Sequence, residues 1–374
     1  TEQDYDKDDQ QTQVIWAELR HVLGGATSIA GAGSAPGFLR NLDRANWMEG
    51  LDIDAADNNT FPLGDSGCTL KSSGCDYPSI DGVWVLDNQC YLPHVAEGID
   101  KETRNEFLCV SSADNGGVDL TEDNSAFIHA VGLTAVDAAL MAAEGTATIW
   151  SPRTNISLYG HTAQVTMYDT LGMRIGMGSD WTLSGSINML RELNCAALLN
   201  DNNFGGYFTD HELWLMATTW NAQALSMETA FGSLEAGLAG DVAVFLGDGS
   251  DDWFRNIFDA DPADVLLVLR GGVPLYGDLD LVGALTGGGA GCEALPAPDC
   301  LLGKAVCIES ETGETYVSLL PSNAPNYPLA YCGVPEGEVT CVPSRPGEFD
   351  GVPTAGDLDG DGVANEVDNC PTIF

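Results

Sequence analysis

Three ionisable side chains stand at the ends of short apolar runs that have the length of buried β-strands. His94 lies near the end of "CYLPHV", His129 ends "AFIH", and Asp180 closes "RIGMGSD". Glu97 follows three positions after His94. Neutral imidazoles and carboxylates are ligands that suit a borderline-soft divalent ion such as zinc. The residue types therefore predict a metal site, provided that the fold brings these strand ends together.

The elements that must position these residues alternate between helix-like and strand-like patterns. Helical spacing marks "VIWAELRHVL", "TAVDAALMAAEG" and "HTAQVTMYDTLG". The strand-like runs are residues 25–31, 38–42, 60–64, 91–95, 126–130, 147–151 and 174–180. Strand–helix alternation predicts an α/β fold with a parallel sheet, and seven such units favour a barrel. Working side chains of such a barrel lie at the carboxyl ends of its strands.

The motif order resembles that of the amidohydrolase superfamily. His94-x-x-Glu97 is followed by "IHA", "SPRTN" and "GSD", as in the aminohydrolase branch of deaminase-like and chlorohydrolase-like enzymes. The segments "MATTWNAQALSM" and "FGSLEAGLAGDVAVF" look like the closing helix of that branch and its return to a small β domain. The resemblance covers roughly residues 14–282. It implies a (β/α)8 TIM-type barrel, with seven of the eight strands in this chain, and a metal-dependent hydrolase acting on C–N bonds.

The resemblance also implies a role for each matching residue. His94 and Asp180 would hold the metal, together with His129, which would also orient or polarise the substrate. Glu97 would shuttle a proton between the metal-activated water and the leaving group, and Asp180 would accept a proton from that water. The chemistry is sound because a bound metal lowers the pKa of water toward neutrality and a nearby carboxylate can pass the proton on.

Two further positions are expected beside a small-molecule substrate, namely Asn155 in "SPRTN" and Trp181 after "GSD". The run "TFPLG" offers no Lys or Glu that could bridge two metals, which favours one ion, zinc or another divalent transition metal. The substrate class remains open between an amide and an aminated or cyclic compound.

The sequence departs from the family pattern at the first strand of the barrel. That strand carries a His-x-His pair in the family, and no His-x-His occurs in these 374 residues. A barrel short of one strand would expose two unpaired edges, which native proteins avoid. The departure therefore predicts a second polypeptide, cut from the same precursor, that supplies the first strand with its His-x-His pair.

The charge of the chain excludes several classes of partner. There are 56 Asp and Glu against 14 Lys and Arg, a formal net charge of −42, while the hydrophobic fraction of 44% is ordinary for a globular protein. So acidic a surface repels nucleic acid and anionic membranes. No apolar run approaches the ~18 residues of a membrane span. Assembly into a homo-oligomer remains compatible with the sequence.

The cysteines predict disulfides and an extracellular location. Cys68 and Cys75 flank a short loop and are expected to pair, with at least two further bridges in the tail. The tail cysteines are Cys292, Cys300, Cys307, Cys332 and Cys341. Cys90, Cys109 and Cys195 lie in apolar surroundings and are expected to be buried thiols. Disulfides persist in oxidising compartments, so the protein is expected to be secreted or exposed at the cell surface.

A second candidate metal site lies near the end of the sequence, in "DLDGDGVANEVDNCP". The expected calcium ligands, spaced as in an oxygen-rich calcium loop, are Asp357, Asp359, Asp361, the carbonyl of Val363, Asn365 and Asp368. The segment resembles a thrombospondin type 3 repeat, an extracellular calcium-binding module.

The predicted organisation has four parts. They are a barrel with strands 2–8 (residues 1–230), the second half of a small β-sandwich domain (231–285), a disulfide-rich extension (286–349) and the calcium repeat (350–374). The favoured function is a secreted metal-dependent hydrolase. The alternative is a non-enzymatic extracellular structural or binding protein built on the same fold.

Overall fold

The computed structural model describes residues 7–31, 35–65, 67, 71–79, 89–323 and 327–344. The chain divides into two compact units. Among the described residues, one unit contains residues 57–186, 195–227 and 339–344, and the other contains residues 7–56, 187–194 and 228–338. The four-part division expected from the sequence stays a prediction.

The strands are β1 (Ser28–Ile29), β2 (Arg40–Asn41), β3 (Asp57–Asn59), β4 (Tyr91–Val95), β5 (Ala126–His129), β6 (Ala147–Trp150), β7 (Ile175–Met177), β8 (Val242–Phe245), β9 (Val265–Arg270), β10 (Val273–Asp278), β11 (Glu293–Ala294) and β12 (Lys304–Val306). The helices are α1 (Lys7–Leu23), α2 (Lys101–Val110), α3 (Ala135–Glu144), α4 (Pro152–Tyr159), α5 (Val165–Thr170), α6 (Met189–Asn202), α7 (Asp210–Ala217), α8 (Thr219–Ala224), α9 (Trp253–Phe258), α10 (Leu279–Leu285), α11 (Glu309–Thr312) and α12 (Tyr316–Asn323).

The first unit is built on a five-stranded parallel sheet in the order β3-β4-β5-β6-β7. Strand β4 coincides with the predicted run 91–95, and β5, β6 and β7 lie within the predicted runs that follow. These strands are nearly continuous apolar runs, and Leu92, Phe127, Trp150 and Ile175 are buried. Such runs are typical of parallel strands covered on both faces.

The strand predicted at 60–64 is wrong, because the strand β3 lies just before it. Phe61 donates its backbone N–H to Asn59 Oδ1, and Gly64 donates to the Phe61 carbonyl. Gly64 has φ +64°, a left-handed conformation that favours glycine. The segment is therefore a turn.

Helix α3 shows why the predicted helices form where they do. Thr134 and Asp137 form a capping box at its start, and Gly145 ends it with φ +80°. These contacts satisfy orphan backbone groups at the helix ends. The same capping box, between Thr209 and Glu212, opens α7 as expected from the sequence.

The second unit contains an antiparallel sheet in the order β11-β12-β10-β9-β8. A buried apolar cluster of this unit joins α1 to strands β9 and β10, through residues such as Leu19, Val268 and Leu275. The cysteine-rich extension thus adds two strands to the sheet. The predicted runs 25–31 and 38–42 shrink to β1 and β2, two residues each, which pair in parallel. Closure of an eight-stranded barrel stays a prediction.

The disulfides confirm part of the cysteine analysis and correct the rest. Bridges join Cys292 to Cys307 and Cys300 to Cys332, as expected of the tail. The predicted Cys68–Cys75 bridge is wrong, because Cys75 pairs with Cys109, whose Cα lies 5.3 Å away. The free thiols predicted at Cys109 and Cys195 are also wrong, because both residues form disulfides.

Cys109 holds the loop that contains Cys75 against α2, and Cys195 on α6 pairs with Cys341. Cys90 is the free, buried cysteine of the described residues, as predicted. None of the described helices is long and apolar enough to cross a lipid bilayer.

Candidate metal centre

The parallel sheet brings the predicted chemical residues together at the carboxyl ends of its strands. His94 lies in β4, His129 ends β5, and Asp180 follows β7 by three residues. The register pairs Val95 with His129, so neighbouring strands deliver the two imidazoles to the same edge. His129 has φ +73° and Asp180 has φ +54°. Such left-handed conformations are costly for residues with side chains and cluster at functional sites.

The three side chains lie close enough to share one ion. One ligand atom from each of His94, His129 and Asp180 lies within 4.8 Å of the others. The two imidazole rings have centroids 5.2 Å apart, and His129 Nε2 lies 3.8 Å from Asp180 Oδ2. Within the described residues, this is the group of histidine, cysteine or acidic side chains that could hold a metal.

Glu97 lies beside this cluster, and each of its carboxylate oxygens has a polar neighbour. Its Oε2 lies 3.4 Å from His129 Nε2, and its Oε1 accepts a 2.9 Å hydrogen bond from the Tyr159 hydroxyl. Tyr159 ends α4. Sequence reasoning missed this contact, because no motif links the last residue of a helix to a carboxylate 62 positions earlier.

Burial sets the protonation of the site. Desolvation lowers the pKa of His94, and it lowers the pKa of His129 well below the ordinary value with help from the nearby His94. Desolvation raises the pKa of Glu97 to about 7, against the Tyr159 hydrogen bond and with the repulsion of Asp180. Burial likewise raises the pKa of Asp180. The imidazoles are therefore neutral near pH 7, and the crowded carboxyls favour a cation.

The donors present fit a divalent transition metal. Nδ1 of His94 is buried and makes no hydrogen bond within the described part of the chain. A buried imidazole nitrogen without a partner is costly unless it binds something. Two neutral imidazoles and one carboxylate match the three protein ligands of catalytic zinc.

The two residues predicted to touch substrate lie in different surroundings. Trp181, next to Asp180, is 72% exposed. Asn155 is fully buried, and its Nδ2 lies 3.2 Å from His129 Nδ1. Their roles toward a substrate stay predictions. The proposed calcium ligands at positions 357–368 lie outside the described residues.

No family model matches the chain. Part of it is similar to curated 5-methylthioadenosine/S-adenosylhomocysteine deaminases. The protein of Desulforudis audaxviator is 31% identical over 120 residues, which are 31% of this chain and 28% of the relative. That of Teredinibacter turnerae is 32% identical over 118 residues, 31% of this chain and 27% of the relative. The match thus spans less than a third of these relatives.

Solved structures show the fold over a larger part of the chain. Zinc-bound adenosine deaminase of Xanthomonas campestris is 17% identical with a TM-score of 0.50, covering 75% of this chain and 72% of that protein. The atrazine chlorohydrolase of Arthrobacter aurescens TC1, complexed with zinc, is 19% identical with a TM-score of 0.50, covering 75% and 78%. The chain therefore shares the fold of these proteins over about three quarters of its length.

Proposed function

We propose that this chain carries the catalytic residues of a metal-dependent hydrolase that acts on C–N bonds. The observation that carries the proposal is the convergence of His94, His129 and Asp180 within 4.8 Å, with Glu97 beside them. The deaminase names of the sequence relatives and the zinc-bound relatives of the same fold support it. A bound divalent ion would supply Lewis-acid polarisation and a water that ionises near neutral pH.

The side chains of the chain divide the remaining work. Glu97 has a pKa raised to about 7, so it can take a proton and return it at neutral pH. Oε2 is the exchanging atom, because Oε1 is held by Tyr159. His129 faces the same space through Nε2, where it can donate to the reacting group of a substrate. Asp180 is a ligand and a proton acceptor.

We propose an aminated heterocycle as the substrate, with ammonia as the leaving group. The relatives that match in sequence are named as deaminases of adenine-containing compounds. Trp181 exposes its large aromatic ring next to Asp180, where it can stack on a planar heterocycle. The acidic surface favours neutral or cationic substrates over anionic ones.

The ligand set also favours a second polypeptide. His129 could either bind the metal or polarise the substrate. If it polarises the substrate, His94 and Asp180 are the two metal ligands that remain in this chain. Catalytic zinc uses three protein ligands. Strand β7 is an edge of the five-stranded sheet as described. We propose that an added strand carrying a His-x-His pair completes the ion site there.

Elemental analysis of protein purified without chelator tests the metal, and a panel of aminopurines and amino-triazines tests the activity. Glu97→Gln should keep the metal and lower kcat by about 10²–10⁴-fold, the usual contribution of a proton-transferring group. The exposed Glu144→Gln is the matched control and should keep full activity. Native protein without a transition metal would refute the proposal in favour of a binding or structural role.

The partner is tested on the same material by mass analysis under non-denaturing conditions. A second chain with a His-x-His pair is expected. Full metal content and activity in this chain alone would refute the added strand while leaving the hydrolase proposal intact. The four disulfides within the described part of the chain favour an extracellular location, which secretion assays on the native source would test.

A further inference from the structure

Four buried side chains form a row of hydrogen bonds that ends on the ring of His129. The Trp150 Nε1–H group donates to Thr162 Oγ1 at 2.7 Å. Thr162 Oγ1 donates in turn to Asn155 Oδ1 at 3.4 Å, and Asn155 Nδ2 lies 3.2 Å from His129 Nδ1. All four residues are at most 2% exposed, so water cannot replace these bonds.

The donors and acceptors of this row can be assigned from Trp150, its first residue. An indole N–H can only donate, so Thr162 accepts from Trp150 and its own proton is free to donate. If Asn155 turned its carboxamide the other way, the hydroxyl proton of Thr162 would meet an N–H group. No other acceptor for that proton occurs among the hydrogen bonds of the described residues. A buried donor without an acceptor destabilises the fold, which selects the observed orientation.

We propose that Asn155, with Thr162 and Trp150 behind it, is a positioning residue that holds neutral His129 in the tautomer carrying its proton on Nε2. The carboxamide of Asn155 donates to Nδ1, so Nδ1 must be the unprotonated nitrogen of a neutral ring. The Nε2–H group then faces Glu97 Oε2 and Asp180 Oδ2, at 3.4 and 3.8 Å. Both are acceptors, which suits a donor at that position.

The tautomer decides what His129 can do. An imidazole nitrogen that carries a proton cannot bind a metal, so in this tautomer His129 leaves the group of three possible ligands and acts as a hydrogen-bond donor toward the site. His94 and Asp180 then remain as the metal ligands that this chain supplies. Asn155 then donates its hydrogen bond to the His129 ring and does not contact the substrate. This catalytic consequence rests on the proposed function, whereas the tautomer itself does not.

The test is the ¹⁵N spectrum of the histidine side chains in the metal-free, full-length chain at pH 8. The chain has five histidines, and His129→Gln assigns the signal of interest. Wild type should show the Nε2–H form. Asn155→Asp should show the Nδ1–H form, because a carboxylate at this position accepts a hydrogen bond where the amide donated one.

Thr162→Val keeps the shape of the row but removes the proton that orients Asn155. Thr162→Val should give a mixture of the two tautomers. It provides an independent test of the proposal if Asn155→Asp does not fold. The exposed Asn202→Asp is the matched control and should leave the His129 signal unchanged. A wild-type Nδ1–H form would overturn the proposal, as would a Thr162→Val spectrum identical to wild type. Failure of the proposed hydrolase would appear separately, as a normal tautomer in a protein without metal or activity.

Discussion

Removal of one oxygen atom, in Tyr159→Phe, should lower kcat of the proposed hydrolase about 10- to 40-fold. The hydroxyl of Tyr159 donates to Glu97 Oε1 at 2.9 Å. A hydrogen bond to a charged group contributes about 1.5–3 kcal/mol, and each ~1.4 kcal/mol is a factor of ten in rate. The Glu97 side chain is 29% exposed, so water replaces part of the bond and the lower half of that range applies.

The effect should fall mainly on kcat, because Tyr159 fixes the orientation of the proton-transferring carboxyl group. Loss of the bond should also move the acid limb of the pH profile upward. The hydroxyl stabilises the charged form of Glu97, whose pKa is already raised to about 7, so its removal raises that pKa further. Less of the carboxyl group is then ionised at pH 7.

Steady-state kinetics over pH 5–9 measure both effects. Tyr207→Phe is a matched control, because the Tyr207 hydroxyl donates to a carboxylate oxygen of Asp169 at 2.8 Å on the protein surface. It should leave kcat and KM unchanged. A Tyr159→Phe enzyme with wild-type kcat and an unshifted acid limb would refute the reasoning, and so would an equal loss in Tyr207→Phe.

Three other outcomes are expected. Burial and the charges of Asp65 and Glu97 raise the pKa of Glu106 from 4.5 to about 8. The folded chain therefore favours the neutral form, and stability present below pH ~4.5 is lost as the pH rises to about 8. Glu106→Gln should raise the unfolding free energy at pH 8 by up to about 5 kcal/mol, with no change at pH 4, in chemical denaturation. Calcium should protect residues 350–374 from protease and a chelator should remove that protection; equal cleavage with and without calcium would contradict the predicted loop. Peptide mapping without reduction should find Cys75 linked to Cys109, and a Cys68–Cys75 peptide would contradict that pairing.

The sequence predicted the positions of β4 to β7 well, because their apolar runs are uninterrupted and their helices carry capping residues. It also predicted that His94, His129 and Asp180 converge, since the carboxyl ends of parallel strands meet at one edge. Both successes depend on patterns that are local in the chain.

What the sequence could not provide depends on packing between distant segments. Tyr159 meets Glu97 because of the direction in which α4 leaves the sheet. Cys109 and Cys75 are 34 residues apart and meet only when a long loop returns to α2. The contact between Asn155 and His129 is likewise not local, because the carboxamide of Asn155 is held by Thr162, which accepts a hydrogen bond from Trp150.

The bridge between Cys195 and Cys341 closes the intervening chain into a covalent ring. The two residues are 146 positions apart, so the ring is large. If the backbone is cut once inside that ring, the bridge still holds the two fragments together as one molecule. A ring of this size restricts the unfolded chain, and the lost conformational entropy raises the free energy of the unfolded state by about 5 kcal/mol. The segment after Cys341 thus stays attached to α6 when the polypeptide between the two cysteines is cut, until the bridge is reduced.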